Sequence, residues 1–215
     1  MRVSPSLVAV AAALSAGAVA CGASGYQYVE NDKVGVYARL PGDWAVYDEA
    51  DLFPEASERE LAQRQDQVWM RTFDAADDPS VEGSRTLSGE HPTGVFLVRG
   101  LTLQEREGLD ISALRGGGDP ARDPVAADAA DSDGVITVLS DEPVEFDGGY
   151  TGVHTVFVIE QGGTAVVRDQ TAVHNAQTTA IAVFQVGCTE TCYFETHKDE
   201  IADLVDSWTI QEVRQ

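Results

Sequence analysis

The sequence has 215 residues and a formal net charge of −22 at pH 7, with 14 lysines and arginines against 36 aspartates and glutamates. Binding to nucleic acid needs clustered lysine and arginine, so this charge argues strongly against a nucleic-acid partner, and it also opposes adsorption to anionic lipid. The hydrophobic fraction of 43% is that of a globular protein with room for one substantial core.

The N-terminal residues have the pattern of an export signal. An apolar run at 7–20 has the length of a signal-peptide core and is too short to cross a bilayer of ~30 Å as a helix. It ends in AVAC at 18–21, which resembles a bacterial lipobox, with Ala18 where leucine is usual. We expect residues 1–20 to be a lipoprotein signal peptide and Cys21 to carry lipid. An ordinary secretory signal and an uncleaved anchor are the alternatives.

The predicted anchor determines where the protein would lie. The sequence contains no second apolar run long enough to span a membrane, so acyl chains such as palmitate would be the only membrane attachment. Residues 21–24 would form a short tether with a reach of about 10–15 Å. We therefore expect an exported protein that is anchored by lipid to the outer face of the cytoplasmic membrane.

The first part of the predicted domain, 25–215, has the pattern of a β-hairpin. In VENDKVGVYARLPGDWAVYD, apolar residues at 34, 36, 38 and 40 alternate with polar or small ones. The segments ND and PGD predict turns before and after this strand, and Trp44 and Val46 continue a short further strand.

A capping-box pattern predicts a helix after the hairpin. Ser57 would cap the helix and Glu60 would occupy its third position. Leu61, Val68 and Trp69 would share the buried face of this helix.

A central strand and a long loop are predicted next. Residues 93–103, TGVFLVRGLTL, predict the strand. The segment 115–134, RGGGDPARDPVAADAADSDG, has hardly an apolar anchor and predicts a flexible acidic loop inside the domain, or disorder.

One stretch of this loop resembles a metal-binding sequence. DSDG matches part of an EF-hand, yet Ala129 and Ser140 stand where an EF-hand needs carboxylates. A loose calcium site formed by Asp128, Asp131 and Asp133 is a weak alternative to a solvated acidic loop. We expect no other metal and no cofactor.

The second half of the sequence predicts an antiparallel meander that contains a hairpin turn at Gly162-Gly163. A two-residue turn there places His154 opposite Thr171 and His174 opposite Thr151. The two histidines then lie on opposite faces and share no metal, whereas a three-residue loop would place them on one face.

Two cysteines remain once Cys21 is assigned to lipid. Cys188 and Cys192 would form a disulfide in an oxidising compartment, and their C-x3-C spacing differs from that of a thioredoxin-like redox motif. The final segment, THKDEIADLVDSWTI, has apolar residues at 201, 204, 205 and 208, which predict an amphipathic helix before a short last strand.

The order of these elements predicts an α+β fold with a central antiparallel β-sheet and helices packed on it. Two segments resemble PsbP-like domains of the Mog/PsbP superfamily. Leu40, Pro41 and Trp44 match the LP-x-x-W turn near the start, and Ser207 to Ile210 match the closing S-[FW]-T-I join. Within the superfamily, the lipobox and the excess of arginine over lysine fit actinobacterial LpqN-type lipoproteins best. The sequence has twelve arginines and two lysines. The resemblance implies an α/β/α sandwich and a binding or assembly function, and it assigns no catalytic residue.

The sequence contains no motif for nucleophilic or metal-dependent catalysis. Ser84 and Ser88 lie near His91 in sequence, which says little because catalytic triads assemble in space. We expect a non-catalytic, lipid-anchored binding or accessory protein whose partner is an unidentified protein or component of the bacterial cell envelope. A carrier of a small ligand such as a lipid or glycolipid, and a secreted hydrolase, are the alternatives. A carrier predicts an apolar cavity between the sheet and the helices.

Overall fold

A computed structural model describes residues 25–32, 35–65, 67–87, 89–130 and 135–211. The predicted signal peptide, Cys21 and the tether lie outside these residues, as do Ser88, Asp131 and Asp133. The strands of the described chain are β1 Tyr26–Asn31, β2 Val36–Pro41, β3 Ala45–Tyr47, β4 Val68–Asp74, β5 Thr93–Gly100, β6 Ile136–Phe146, β7 Tyr150–Gln161, β8 Thr164–His174, β9 Ala180–Thr189 and β10 Thr209–Ile210.

The helices of the described chain are short. They are α1 Glu49–Leu52, α2 Glu58–Gln65, α3 Val81–Ser84, α4 Leu103–Gly108, α5 Ile111–Arg115, α6 Pro124–Ala130 and α7 Lys198–Ser207. A 3₁₀ turn at Pro120–Arg122 joins α5 to α6, and a π-helical turn at Cys192–Thr196 precedes α7. Within the described ranges, no helix is both long enough and apolar enough to cross a membrane.

The strands form two antiparallel sheets. The large sheet has the order β3-β4-β5-β9-β8-β7-β6, and the small sheet has the order β1-β2-β10. This architecture confirms the predicted α+β fold with a central antiparallel sheet. The predicted central strand is β5, which lies between β4 and β9.

The hairpin of β7 and β8 has the predicted two-residue turn. Gly162 and Gly163 have φ angles of 61° and 84°, which favour glycine. The register pairs His154 with Thr171 and Thr151 with His174, so the two histidines lie on opposite faces as predicted.

One predicted helix is too long. Ser57 and Glu60 form the expected capping box, because Glu60 Oε2 accepts from Ser57 N at 2.8 Å. However, α2 ends at Gln65, and Val68 and Trp69 belong to β4. The reason is tertiary: β4 pairs along its whole length with β5, and these backbone hydrogen bonds outweigh the helical spacing.

The large sheet has two faces with different coverings. Its core face, which carries Phe96, Asp169 and Phe184, packs against α7 and the small sheet in the main hydrophobic core. The rings of Phe96 and Phe184 stack there with centroids 4.9 Å apart, and Trp208 stacks on Phe184 at 5.9 Å. Most of the buried aromatic residues of the described chain belong to this core.

The outer face, which carries Leu97, Arg168 and Val183, is covered by α5 and α6. The sequence predicted a flexible loop at 115–134. The structure instead forms a 3₁₀ turn and α6 from Pro120 to Ala130, and residues 131–134 lie outside the described chain. Helix caps and glycine turns hold much of this layer in place, so it folds although it contains few apolar residues.

Candidate ligand-binding site

The covering layer begins at α5, which is fixed at both its ends. Asp110 caps the helix, since its Oδ1 accepts from Ala113 N at 2.9 Å. Leu114 is buried against Ile181 and Val183 of the outer face. At the other end, Gln170 Nε2 donates to the carbonyl oxygens of Leu114 and Arg115, at 3.3 and 2.7 Å. A side chain of the sheet thus satisfies two carbonyl groups that end the helix.

A run of three glycines turns the chain after α5. A Cβ on Gly116 would lie 1.8 Å from the carbonyl oxygen of Asp119, so no other residue fits without movement. Gly117 and Gly118 have φ angles of 66° and 102°, in the left-handed region. The glycines therefore allow a close turn, after which Asp123 caps α6 through a 2.9 Å bond from Val125 N.

A pocket of about 490 Å³ lies between this layer and the outer face. Its volume falls within the range of roughly 300–1,000 Å³ that small-molecule sites occupy. The residues that line the pocket are Val95, Leu97, Ile136, Phe157, Ile159, Arg168, Gln170, Val183 and Gln185 from the sheet, and Arg115, Gly116, Gly117, Arg122 and Pro124 from the covering layer. Most of the sheet side chains in this set are apolar, and the polar groups are two glutamines and three arginines.

Two of the three arginines have acidic partners. Arg115 Nε donates to Asp141 Oδ1 at 3.0 Å, and its Nη1 lies 3.9 Å from Asp123 Oδ2. Arg122 is 80% exposed and lies 3.4 Å from Asp119. The charge of each of these guanidinium groups is therefore matched within the covering layer or by the adjacent strand β6.

The third arginine, Arg168, has no partner for its side chain within the described part of the chain. The Arg168 side chain makes no hydrogen bond and no ion pair with any residue that the structure describes, and its Nε is buried. Burial lowers the pKa of this guanidinium to about 10, so it is still charged at neutral pH. A charge removed from water is normally paired in proteins, because its lost hydration is otherwise uncompensated.

The backbone leaves space for the Arg168 side chain. Gly187 lies opposite it on β9, and a Cβ there would come within 3.1 Å of Arg168 Cδ. The aliphatic stem thus lies over a glycine, and Phe157 is the neighbour on β7. The register of the strands holds this arginine in the pocket wall. Arg168 was not among the candidate site residues predicted from the sequence. The available signal was the arginine within the strand sequence AVVRDQTAV, which places a positive charge at an outer-face position.

A second polar cluster lies on the core face, behind Arg168. His154 Nε2 donates to Asp169 Oδ1 at 2.7 Å, and the Tyr193 hydroxyl donates to Asp169 Oδ2 at 2.5 Å. Asp169 is only 2% exposed, and both of its oxygens are satisfied. The hydrogen bond to Asp169 raises the pKa of His154, and burial raises the pKa of Tyr193. This cluster contains no nucleophile and ties the π-helical turn to the sheet.

The cysteine pair forms the predicted disulfide. The Cα atoms of Cys188 and Cys192 are 5.9 Å apart, and both residues are buried in the main core. The bond joins the end of β9 to the π-helical turn that carries Tyr193.

The structure describes only some of the other predicted site residues. Among the calcium candidates, Asp128 Oδ2 accepts from Val138 N at 3.2 Å, while Asp131 and Asp133 lie outside the described residues, so the calcium site stays a prediction. Ser84 is buried and its hydroxyl bonds to Thr72 and to the Val81 carbonyl, not to a histidine. This environment does not provide the serine–histidine pair that a hydrolase would use at Ser84. The lipidation of Cys21 likewise stays a prediction.

No protein-family model matches the sequence. No curated protein matches it either. Among solved structures, cyanobacterial PsbP (CyanoP) from Synechocystis sp. PCC 6803 is similar over 89% of this chain and 95% of that one, with 14% identity and a TM-score of 0.48. LpqN of Mycobacterium tuberculosis, described as involved in cell envelope biogenesis, is similar over 87% of this chain and 91% of that one, with 12% identity and a TM-score of 0.46.

The Ran-binding protein Mog1p of Saccharomyces cerevisiae is similar over 86% of this chain and 95% of that one, with 11% identity and a TM-score of 0.44. At identities of 11–14% and TM-scores below 0.5, the likeness concerns the path of the chain, and we take no function from it.

Proposed function

We propose that this chain is an exported, lipid-anchored and non-catalytic binding protein that holds a small, largely apolar ligand between the outer face and the covering layer. The observation that carries the proposal is the pocket of about 490 Å³ with its apolar sheet wall. The sequence left open a protein partner and a small ligand, and a cavity between sheet and helices is what the small-ligand alternative predicted.

Two features support the exported location. The motif AVAC at 18–21 resembles a lipobox, and the buried Cys188–Cys192 disulfide is of a kind that forms in oxidising compartments. Intact-mass measurement of the mature protein from membranes tests the anchor. We expect an N-terminal Cys21 with added acyl mass, and release of a Cys21→Ala variant from the membrane fraction. A mature Cys21 without acyl mass would contradict this part of the proposal.

Binding of the neutral fluorophore N-phenyl-1-naphthylamine tests the pocket. We expect one molecule to bind per chain, and a Val95→Trp substitution to weaken binding at least tenfold because the indole would fill the cavity. The matched control is Met70→Trp, on the same face of the neighbouring strand and outside the pocket lining. Equal binding by the wild type and Val95→Trp would exclude the pocket as the site.

A protein partner is the second candidate, and an exposed edge strand favours it. Tyr28 of β1 is 67% exposed, and β1 is an edge of the small sheet, next to the predicted tether. Unpaired edge strands with exposed aromatic residues are suited to adding a strand from another protein. A photo-crosslinker at Tyr28 should yield one defined envelope adduct, and one at the exposed Glu107 should not. Identical adducts from both positions would argue against this surface.

A further inference from the structure

Resting on the proposed function, we propose that the ligand carries one anionic head group, a carboxylate or a phosphate, which binds the guanidinium of Arg168, while its apolar body occupies the rest of the pocket. The pocket itself indicates a small ligand, and Arg168 indicates its charge.

Arg168 is the only one of the three pocket arginines without an acidic partner among the described residues. Arg115 and Arg122 are engaged by aspartates, so their charges are already matched. The chain has 36 acidic residues, and the described part places none of them against Arg168. An anion that arrives with the ligand would supply the missing partner.

The charge of Arg168 lies at one side of the apolar surface of the pocket. Arg168 lies in one cross-strand row with Phe157 and Gly187, and Ile159 lies in the row beside it on the same face. On the other side, the glutamines 170 and 185 are joined to each other by a 3.2 Å hydrogen bond, and Val183 and Leu97 follow. A ligand with a charged end and an apolar body fits this arrangement, in which the guanidinium of Arg168 lies beside an apolar wall.

The chemistry of the guanidinium group favours an anionic head group. A guanidinium group is a planar fork of N–H donors that matches the two oxygens of a carboxylate or phosphate. In a partly dehydrated pocket such a bond is stronger than in water, because protein and ligand charges are less screened. An alcohol of the same length lacks the charge and leaves Arg168 unpaired.

The test compares ligands that share a tail and differ in head group. Decanoate, decyl phosphate and 1-decanol, each at monomeric concentration, compete with N-phenyl-1-naphthylamine for the wild-type protein and for two variants. In Arg168→Met the unpaired cation is removed, and in Arg122→Met an arginine of the same pocket that has its own aspartate is removed.

We expect at least one of the two anions to bind the wild type about tenfold or more tightly than 1-decanol, as expected for a charge-assisted bond. Arg168→Met should abolish this preference, retain N-phenyl-1-naphthylamine binding, and so show that its pocket is intact. Arg122→Met should keep the preference. The order of decanoate and decyl phosphate distinguishes a carboxylate ligand from a phosphate ligand.

Three results would overturn the inference. Equal affinities of the wild type for 1-decanol and both anions would remove the head-group role, and so would an unchanged preference in Arg168→Met. In both cases the bound fluorophore would leave the proposed function standing. If neither the fluorophore nor any of the three decyl compounds binds, the proposed function fails, and this inference fails with it.

Discussion

Arg168 and Asp169 are neighbours in sequence and opposites in environment. The strand places them on the two faces of the large sheet, so they cannot pair with each other. Asp169 lies on the core face, where His154 and Tyr193 satisfy both of its oxygens. Arg168 lies on the outer face beside a pocket and has no partner among the described residues.

The two faces of the large sheet also differ in how they are packed. The core face is filled by packed aromatic rings, a disulfide and a closed hydrogen-bond network, all of which favour one rigid arrangement. The outer face has a thin covering layer, a cavity and a guanidinium charge that no described residue pairs with. We infer that stability depends mostly on the core face and ligand binding on the outer face, and each prediction below tests this division.

The largest effect is expected from Asp169→Asn. The substitution keeps the shape of the side chain and removes the buried charge that both His154 and Tyr193 bind. We expect the free energy of unfolding in urea to fall by about 3 kcal/mol, as when one partner of a buried pair is removed. The control Asp119→Asn, in the exposed pair with Arg122, should change it by less than about 1 kcal/mol. Equal losses of unfolding free energy in the two variants would contradict the division between the two faces.

The next largest effect is expected from removing the disulfide. Replacing Cys188 and Cys192 together by alanine should lower the free energy of unfolding by about 2 kcal/mol, because a closed loop of this size no longer limits the unfolded chain. Binding of N-phenyl-1-naphthylamine at the outer face should not change. A parallel loss of binding would show that the two faces are not independent.

A smaller effect, with the opposite sign, is expected from Arg168→Met. The variant removes a partly dehydrated charge and keeps an unbranched stem over Gly187, so the ligand-free protein should gain about 1 kcal/mol in free energy of unfolding. Arg115→Met is the contrasting variant. It leaves Asp141 and Asp123 without their cation and should be destabilised. Destabilisation of Arg168→Met to the same extent would indicate a hidden partner for Arg168.

The smallest effect is a pH dependence that belongs to the core face. The fold raises the pKa of His154, so protonated His154 stabilises the native state. Its contribution is complete below the unfolded pKa of 6.5 and is lost as the pH rises through the higher folded pKa. The free energy of unfolding of the wild type, measured from about pH 6 upward, should therefore decline relative to His154→Gln. A parallel pH profile for the two proteins would contradict this role.

Local patterns predicted most of the sheet. Glycines 162 and 163 determine a two-residue turn, and with that turn the strand register and the opposite faces of His154 and His174 follow. The apolar spacing of residues 201–208 likewise predicted α7 and its buried side chains. These elements are predictable because their periodicity is carried by neighbouring residues.

Other elements depended on distant partners. Val68 and Trp69 have helical spacing with Leu61, yet pairing of β4 with β5 places them in a strand. The polar segment from Arg115 to Ala130 looks like a loop, yet caps and a side chain from β8 hold it against the sheet. Strand β5 is distant in sequence from Val68 and Trp69, and β8 is distant from the segment 115–130. Neither result therefore follows from local propensity.

By itself, the sequence shows a lipobox-like pattern that ends at Cys21 and an excess of negative charge, and it predicted the pairing of Cys188 with Cys192 and the alternation of the long strands. Only the tertiary structure decided that Arg168 lies in a pocket without a partner among the described residues, while Asp169 has two. The physical reason is that strand alternation separates adjacent residues by a whole sheet, and what each then meets comes from strands and helices far away in the chain.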